Sequence, residues 1–303
     1  MNINKLLYRS KKIIAKKNLY SSDIDAEILL SHILNVSREY VLIHPELEIS
    51  KEEESRFMDL VERRSQGEPV AYLTEYKEFC GLEFEVNKNT LVPRPETEIL
   101  VEKTLDYIEN NFNKKDKLRI FDIGTGSGCI ITAIAQELKN LGFSNVGFCA
   151  GDISKAALNT ARKNTQNHLE KQEIIFKRGD LLNPFIEEIK GFGEKDQLII
   201  LANLPYLSET IYQNSPGDVR NFEPKLALEA GKDGLDYYKR LLDYVKEYDL
   251  DKKTGSTCLF LEISPEQAEK IKEVVKDNFP ESEIEIYKDL AERDRIVRIL
   301  NLE

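Results

Sequence analysis

The sequence predicts an α/β protein: a Rossmann-like, mostly parallel sheet with an antiparallel last strand, preceded by a small helical domain and a β-hairpin linker. Three observations lead there. From residue 118 onward, short apolar runs alternate with stretches of helical length, the pattern of parallel strands covered on both faces. Gly124, Gly126 and Gly128 directly follow the first of those runs and open a helix. Before residue 65 the apolar spacing is helical alone.

At 303 residues the chain exceeds the usual single domain, so a full α/β domain with a smaller companion is expected. Its organisation reads as a helical domain over residues 1–71, a hairpin linker over 72–93 and an α/β domain over 94–303. In the first part, Lys5, Arg9, Lys11, Lys12, Lys16 and Lys17 precede the first acid, Asp23. An organellar transit segment carries similar charge. Ile3, Leu6, Leu7, Ile13 and Ile14 nevertheless make an irregular apolar face, which reads as the first domain helix. The spacing of Ile24, Ile28, Leu29, Ile33 and Leu34 predicts a second helix, and Phe57, Leu60 and Val61 predict another over 51–64. Gly67 and Pro69 break that run; residues 78–86 then alternate as strand, with a turn at Gly81. Pro95 followed by Glu96 and Glu98 is a normal helix start, since acids suit the positive end of the helix dipole.

Beyond it, strands are predicted at 118–123, 146–151, 174–177, 198–202 and 257–263. Helices are predicted at 129–139, 155–164, 235–248 and 265–278. Residues 283–287 and 295–300 should close the sheet as antiparallel partners. No run approaches the length needed to cross a bilayer, and no membrane partner is expected. A net charge of −11 argues against a long polyanionic groove, because phosphate neutralisation needs clustered Lys and Arg. No stable nucleic-acid partner is therefore expected. Cys80, Cys129, Cys149 and Cys258 form no C-x-x-C pair, and His32, His44 and His168 form no ligand cluster. The expectation is reduced, mostly buried thiols, no metal, and a cytoplasmic location.

Ligands of such sheets bind at the carboxyl ends of the strands. There Gly124-Thr125-Gly126-Ser127-Gly128 lets bare backbone approach a ligand. A dinucleotide fingerprint would place its third glycine at 129, which is Cys129; the G-x-G-x-G form suits S-adenosylmethionine instead. Asp152, ending the next strand, could accept hydrogen bonds from ribose hydroxyls or cap the following helix, a task open to Ser154 as well. Asp180 could meet an adenine amino group, with Leu181 packed on its ring, or be a simple turn aspartate. The second landmark, Asn203-Leu204-Pro205-Tyr206, follows the strand over 197–202. Asn203 cannot remove a proton at neutral pH, but its carbonyl can accept from a substrate NH2 and hold the nitrogen toward a methyl donor. Pro205 stiffens the loop, while Tyr206 could bound the slot and face a sulfonium. A loop that merely terminates a strand is the alternative. Arg94, Glu96 and Thr97 border this region from the linker, or serve the helix start. Phe222 and Glu223 should organise the loop after the tetrapeptide.

The chain resembles the peptide chain release factor glutamine N5-methyltransferase family from about Asp25 to Arg298. The resemblance runs through residues 25–30, 67–72, 91–98, 121–128, 152–154, 179–181, 222–228, 233–234 and 293–297. It implies a helical domain that contacts the release factor, a hairpin linker and a class I S-adenosylmethionine-dependent methyltransferase domain. The implied cofactor residues are Gly124, Thr125, Gly126, Ser127, Gly128, Asp152, Asp180, Leu181 and Asn203; the implied substrate residues are Asn203, Leu204, Pro205 and Tyr206. The implied reaction methylates the side-chain amide of the glutamine in the Gly-Gly-Gln motif, leaving S-adenosylhomocysteine. The family's usual tetrapeptide is Asn-Pro-Pro-Tyr, so Leu204 departs from it, and Asn-Leu-Pro-Tyr also resembles rRNA adenine dimethyltransferases. Ala230, where the family often has glycine, is a further departure. Methylation of a ribosomal-protein glutamine or an adenine amine, and a catalytically silent release-factor-binding module, are the alternatives.

Overall fold

A computed structural model describes residues 1–16, 21–169 and 174–302. Lys17, the last member of the basic run, lies outside them. Two compact units are present, one made of Met1–Tyr76 with Pro216–Glu223, the other of Lys77–Ser215 with Pro224–Glu303. The first unit thus takes in a segment from far along the chain. That differs from the contiguous partition at residues 71 and 93, because local composition carries no sign of a distant return.

In the first unit, helices span Ile3–Ala15, Ser22–Leu34, Arg38–Ile43, Lys51–Ser65 and Val70–Thr74. Ser50 and Glu53 form a reciprocal capping box that starts the fourth. Ile3, Leu6, Ile14, Leu29, Leu30, Phe57 and Val61 are buried together. The second helix is turned relative to the spacing read from the sequence: Ile24 is 47% exposed while Asp25 and Glu27 are buried. Both acids have partners. Asp25 receives Arg64 Nε at 2.7 Å and the Ser21 hydroxyl at 2.9 Å; Glu27 pairs with Arg38 at 2.8 Å and Lys11 at 3.2 Å. Buried charges are tolerated only when paired in this way, and the pairs decide which face turns inward.

The β-hairpin is β1 (Tyr76–Phe79) and β2 (Leu82–Glu85). Cys80 and Gly81 both take positive φ, 50° and 72°, the geometry of a two-residue hairpin turn. Next come β3 (Lys117–Ile123), β4 (Val146–Asp152), β5 (Ile174–Arg178), β6 (Asp196–Ala202), β7 (Ser256–Glu262), β8 (Glu283–Lys288) and β9 (Asp294–Leu300). They form one seven-stranded sheet in the order β5-β4-β3-β6-β7-β9-β8. The first five are parallel, and β9 runs antiparallel to both β7 and β8. This is the architecture predicted from the alternation, with strand ends shifted by a residue or two.

Alternate residues of the central strands feed two cores. Phe121, Ile123, Leu198, Ile200, Leu259 and Leu261 pack toward helices Asp236–Glu247 and Ala268–Asn278. Leu118, Ile120, Ile199, Leu201, Cys258 and Phe260 pack toward helices Glu98–Asn111 and Cys129–Asn140. Chain order reverses between β3 and β6, and a crevice opens where strand order reverses in such sheets. Ile123 pairs with Ala202 there, so the glycine loop and the tetrapeptide begin side by side. Pro95–Thr97 forms a single 3-10 turn ahead of the helix starting at Glu98. That turn carries Thr97 to the same end of the sheet.

Candidate active site

Asp122, next to last in β3, has its carboxyl wholly buried; Thr125 Oγ1 donates to its Oδ2 at 2.6 Å, and Oδ1 has no partner. Burial pushes this carboxyl up to about 7, reinforced by the charge of Asp152. Gly124, Gly126 and Gly128 all take positive φ, at 77°, 54° and 78°. A side chain at Gly128 would stand 3.1 Å from the Ala161 Cα, so glycine is required there for backbone shape and for space. The loop is stitched to β4: the amides of Gly124 and Thr125 donate to the Gly151 carbonyl, each at 2.9 Å. Asn164 then ties the hairpin to the loop, accepting from Glu85 N at 2.8 Å and donating to the carbonyls of Glu85 and Ser127, both at 2.9 Å.

Asp152 is not the cap of the helix that follows. Ser154 takes that position, accepting from Ala157 N at 3.2 Å. Instead Asp152 Oδ2 accepts from the Gly126 amide at 3.0 Å and Oδ1 from the Ser154 amide at 2.8 Å. Two amides hold one lone pair on each oxygen, so acceptor capacity remains on both. Burial raises the Asp152 pKa, and those two hydrogen bonds oppose it. Asp180 forms an ion pair with Arg240, a partner 60 residues away that the local sequence does not announce. Leu181 is buried beside it in a left-handed conformation, with φ of 49°.

One cavity joins these groups. Gly124, Thr125, Gly126, Ser127, Asp152, Asp180, Leu181, Asn203, Leu204 and Pro205 line it, together with Ile153, Leu226 and Tyr237. Arg94 and Thr97 also line it. Ile153 is 47% exposed there, an apolar surface suited to a flat ring. Ile153, Leu226 and Tyr237 were not singled out in the sequence, since nothing local distinguishes them from core or loop residues. Gly128 is not among the described residues lining the cavity and instead lies against Ala161.

Asn203 Nδ2 donates to Thr97 Oγ1 at 3.1 Å. The Leu204 side chain is buried against the glycine loop, so close that a Cβ on Gly124 would stand 2.9 Å from its Cδ2. The Tyr238 hydroxyl, buried in the same core as Leu204, donates to the Glu262 carbonyl. Tyr206 sits differently from expectation: its hydroxyl points away to Glu262 Oε1, at 3.4 Å, and the ring is not among the described residues lining the cavity. Burial raises its pKa, with the Glu262 charge adding to the effect. The Tyr206 carbonyl is taken by Gln267 Nε2 at 2.8 Å, which also bonds the Asp233 carbonyl at 3.1 Å. Gly234 permits this, since a Cβ there would stand 2.1 Å from the Tyr206 carbonyl oxygen. All four cysteines are free, and Cys129, Cys149 and Cys258 are buried. Among the described residues no helix is long and apolar enough to cross a membrane. Phe222 and Glu223 belong to the first compact unit.

A family model for the PrmC N-terminal domain matches residues 5–74. A release factor glutamine methyltransferase of Bacillus cereus is 35% identical over 89% of this chain and 90% of its own length. That of Clostridium acetobutylicum is 34% identical over 98% of both chains; that of Bacillus subtilis is 35% identical over 90% of this chain and 89% of its own. Among solved structures, the hMettl16 catalytic domain in complex with a MAT2A 3′UTR hairpin superposes with a TM-score of 0.52, covering 85% of this chain and 84% of its own. At 18% identity that likeness carries the fold and nothing further.

Proposed function

The chain belongs to the release factor glutamine methyltransferase family, and from that premise we propose that it methylates the N5 side-chain amide of the glutamine in the Gly-Gly-Gln motif of peptide chain release factors. S-adenosylmethionine is the methyl donor. The observation that carries the reading is the pairing of Ile123 with Ala202, which brings a side-chain-free cradle and an amide-bearing turn to the mouth of one cavity.

The residues present fit that cofactor. Glycines leave room for its polar tail, the half-free acceptors of Asp152 suit ribose hydroxyls, and Ile153 with Leu181 offers apolar faces to the adenine. Asp180, already paired with Arg240, would meet the adenine edge only as part of that ion pair. When bound, the cofactor supplies an electrophilic methyl on a sulfonium. The protein's own contribution is orientation. An amide nitrogen is a weak nucleophile because its lone pair is delocalised; carbonyl acceptors that hold its hydrogens keep it pointed at the methyl as the bond forms. Asn203 Oδ1 is one acceptor, and the Leu204 backbone carbonyl is the other. Leucine in place of proline leaves that carbonyl intact, while its side chain packs behind the glycine loop. Residues 1–71, with their buried ion pairs, make the rigid platform that engages the release factor.

The test is mass spectrometry of release factor, ribosomal protein and RNA incubated with the enzyme and labelled cofactor. A methyl on the glutamine of the Gly-Gly-Gln peptide is expected. A methyl on RNA alone, on a ribosomal protein alone, or on nothing, overturns the proposal.

A further inference from the structure

One face of helix Lys155–His168 holds two parts of the site at once. Ala161, Asn164 and Thr165 meet the glycine loop and the helix it opens. Gly128 lies against Ala161, the Ser127 carbonyl accepts from Asn164 Nδ2 at 2.9 Å, and Thr165 Oγ1 stands 2.9 Å from Thr132 Oγ1. Thr160, Asn164 and His168, spaced one turn apart, meet the hairpin and its exit. Thr160 Oγ1 accepts from Asn87 Nδ2 at 3.2 Å, Asn164 exchanges two hydrogen bonds with the Glu85 backbone, and His168 Nε2 lies 2.6 Å from the Glu83 carbonyl. The chain leaving the hairpin then supplies Leu91, Pro93 and Arg94 to the lining of the cavity.

Asn164 belongs to both rows. It is wholly buried and every donor of its amide is used: Oδ1 accepts from Glu85 N at 2.8 Å, while Nδ2 donates to the Glu85 and Ser127 carbonyls. Toward Glu85 it behaves as the peptide of a neighbouring strand would, pairing with the N–H and the C=O of one residue. The reversed amide would set Oδ1 against two carbonyls, so one orientation alone fits. We propose that Asn164 is a positioning residue for the cofactor, one that ties the end of the glycine cradle to the exit strand of the hairpin, so that cofactor affinity and hairpin order rise and fall together. The start of the cradle is fastened to the Gly151 carbonyl by backbone amides. Its end, at Ser127, is fastened by a side chain that answers to the hairpin as well. This inference rests on residues 124–128 seating the cofactor, as proposed above.

The effect on affinity follows from what the tie leaves behind when it is cut. Without the Asn164 amide, the Ser127 carbonyl, 3% exposed as a residue, has lost the partner that fixes its peptide plane. The loop then spreads over several arrangements of which one fits the ligand, and apparent affinity falls by the fraction that remains competent. Turnover at saturation is spared, because the saturated enzyme has already selected that arrangement and Asn203 with its Thr97 contact is untouched. Reciprocity requires that a bound cofactor hold the hairpin strand by the same factor.

Calorimetry with S-adenosylhomocysteine and amide hydrogen exchange test the tie. Asn164→Ala should bind about tenfold more weakly, with kcat at saturating S-adenosylmethionine within about threefold of the parent. Asn164→Asp keeps the shape and the acceptor for Glu85 N but sets an oxygen against two carbonyls; it should weaken binding at least as much, which a packing role would not produce. Thr160→Val keeps the volume and does not reach the cradle, yet it should weaken binding about threefold by releasing Asn87. Added to Asn164→Ala it should weaken binding no further, since the tie is already cut. In the parent, S-adenosylhomocysteine should slow exchange of the Glu85 amide about tenfold, while amides of β8, at the far edge of the sheet, keep their rates. Affinity of Asn164→Asp within about twofold of the parent, or fully additive losses in the double variant, overturns the proposal. So does an unchanged Glu85 rate in the parent, a measurement that needs no variant to fold. A parent that binds no S-adenosylhomocysteine overturns the cofactor's seat itself, whereas tight binding without transfer to release factor overturns only the proposed reaction.

Discussion

Around Gly126 the cleft is made of backbone, whereas around Asn203 it is made of side chains from distant parts of the chain. The glycine loop owes its shape to three positive-φ residues and to amides bonded to the Gly151 carbonyl and the Asp152 carboxylate. The Asn203 side draws on Thr97, 106 residues away, on Glu262, 56 residues beyond Tyr206, and on Gln267. Backbone shape tolerates side-chain change but not a Cβ. An assembly of side chains tolerates backbone neighbours but not a lost polar atom.

The comparison breaks most sharply at Asn203. Asn203→Ala removes the oriented acceptor, and kcat should fall about 100- to 1,000-fold with affinity for S-adenosylhomocysteine nearly kept; turnover within tenfold of the parent would remove Asn203 from its role. Gly128→Ala is the matching lesion on the other side. Its strain at φ of 78° and its contact with Ala161 should cost about 2–4 kcal/mol of stability in chemical denaturation. A smaller change would mean the loop moves without penalty. Asp152→Asn keeps one acceptor but turns an NH2 toward one of two backbone amides. Calorimetry should show S-adenosylhomocysteine binding weakened about tenfold. Smallest in activity is Leu204→Pro. The carbonyl toward the substrate remains, so kcat should stay within about threefold. The lost packing should lower stability by about 2 kcal/mol, and a large kcat loss would show that residue 204 contributes more than its carbonyl.

The same division explains what was legible in the sequence. The strands around Ile120 and Ile199 and the cradle at 124–128 are written in contiguous residues, because burial on both faces needs unbroken apolar runs and a left-handed loop needs glycine. Asn203 was legible by its place after such a run. Asp122 and Glu262 carried a usable signal, each an acid among the apolar residues at the carboxyl end of a strand. The partner of Glu262, Tyr206, and that of Asp180, Arg240, could not be read, since tertiary packing and not chain neighbourhood brings each pair together. Helix 22–34 shows the opposite limit: its apolar spacing was clear, yet Asp25 and Glu27 found partners and displaced Ile24 outward.

The fastening of the tetrapeptide at both ends has a consequence in temperature. Asn203 Nδ2 is held by Thr97 and the Tyr206 carbonyl by Gln267, so this turn is ordered when the chain folds and not when a substrate arrives. Local melting of the turn should then not intervene between the working state and global unfolding. Rate should therefore climb smoothly on warming up to the unfolding transition. Gln267→Ala, 61 residues beyond Tyr206, should make activity fade several degrees before the fold does.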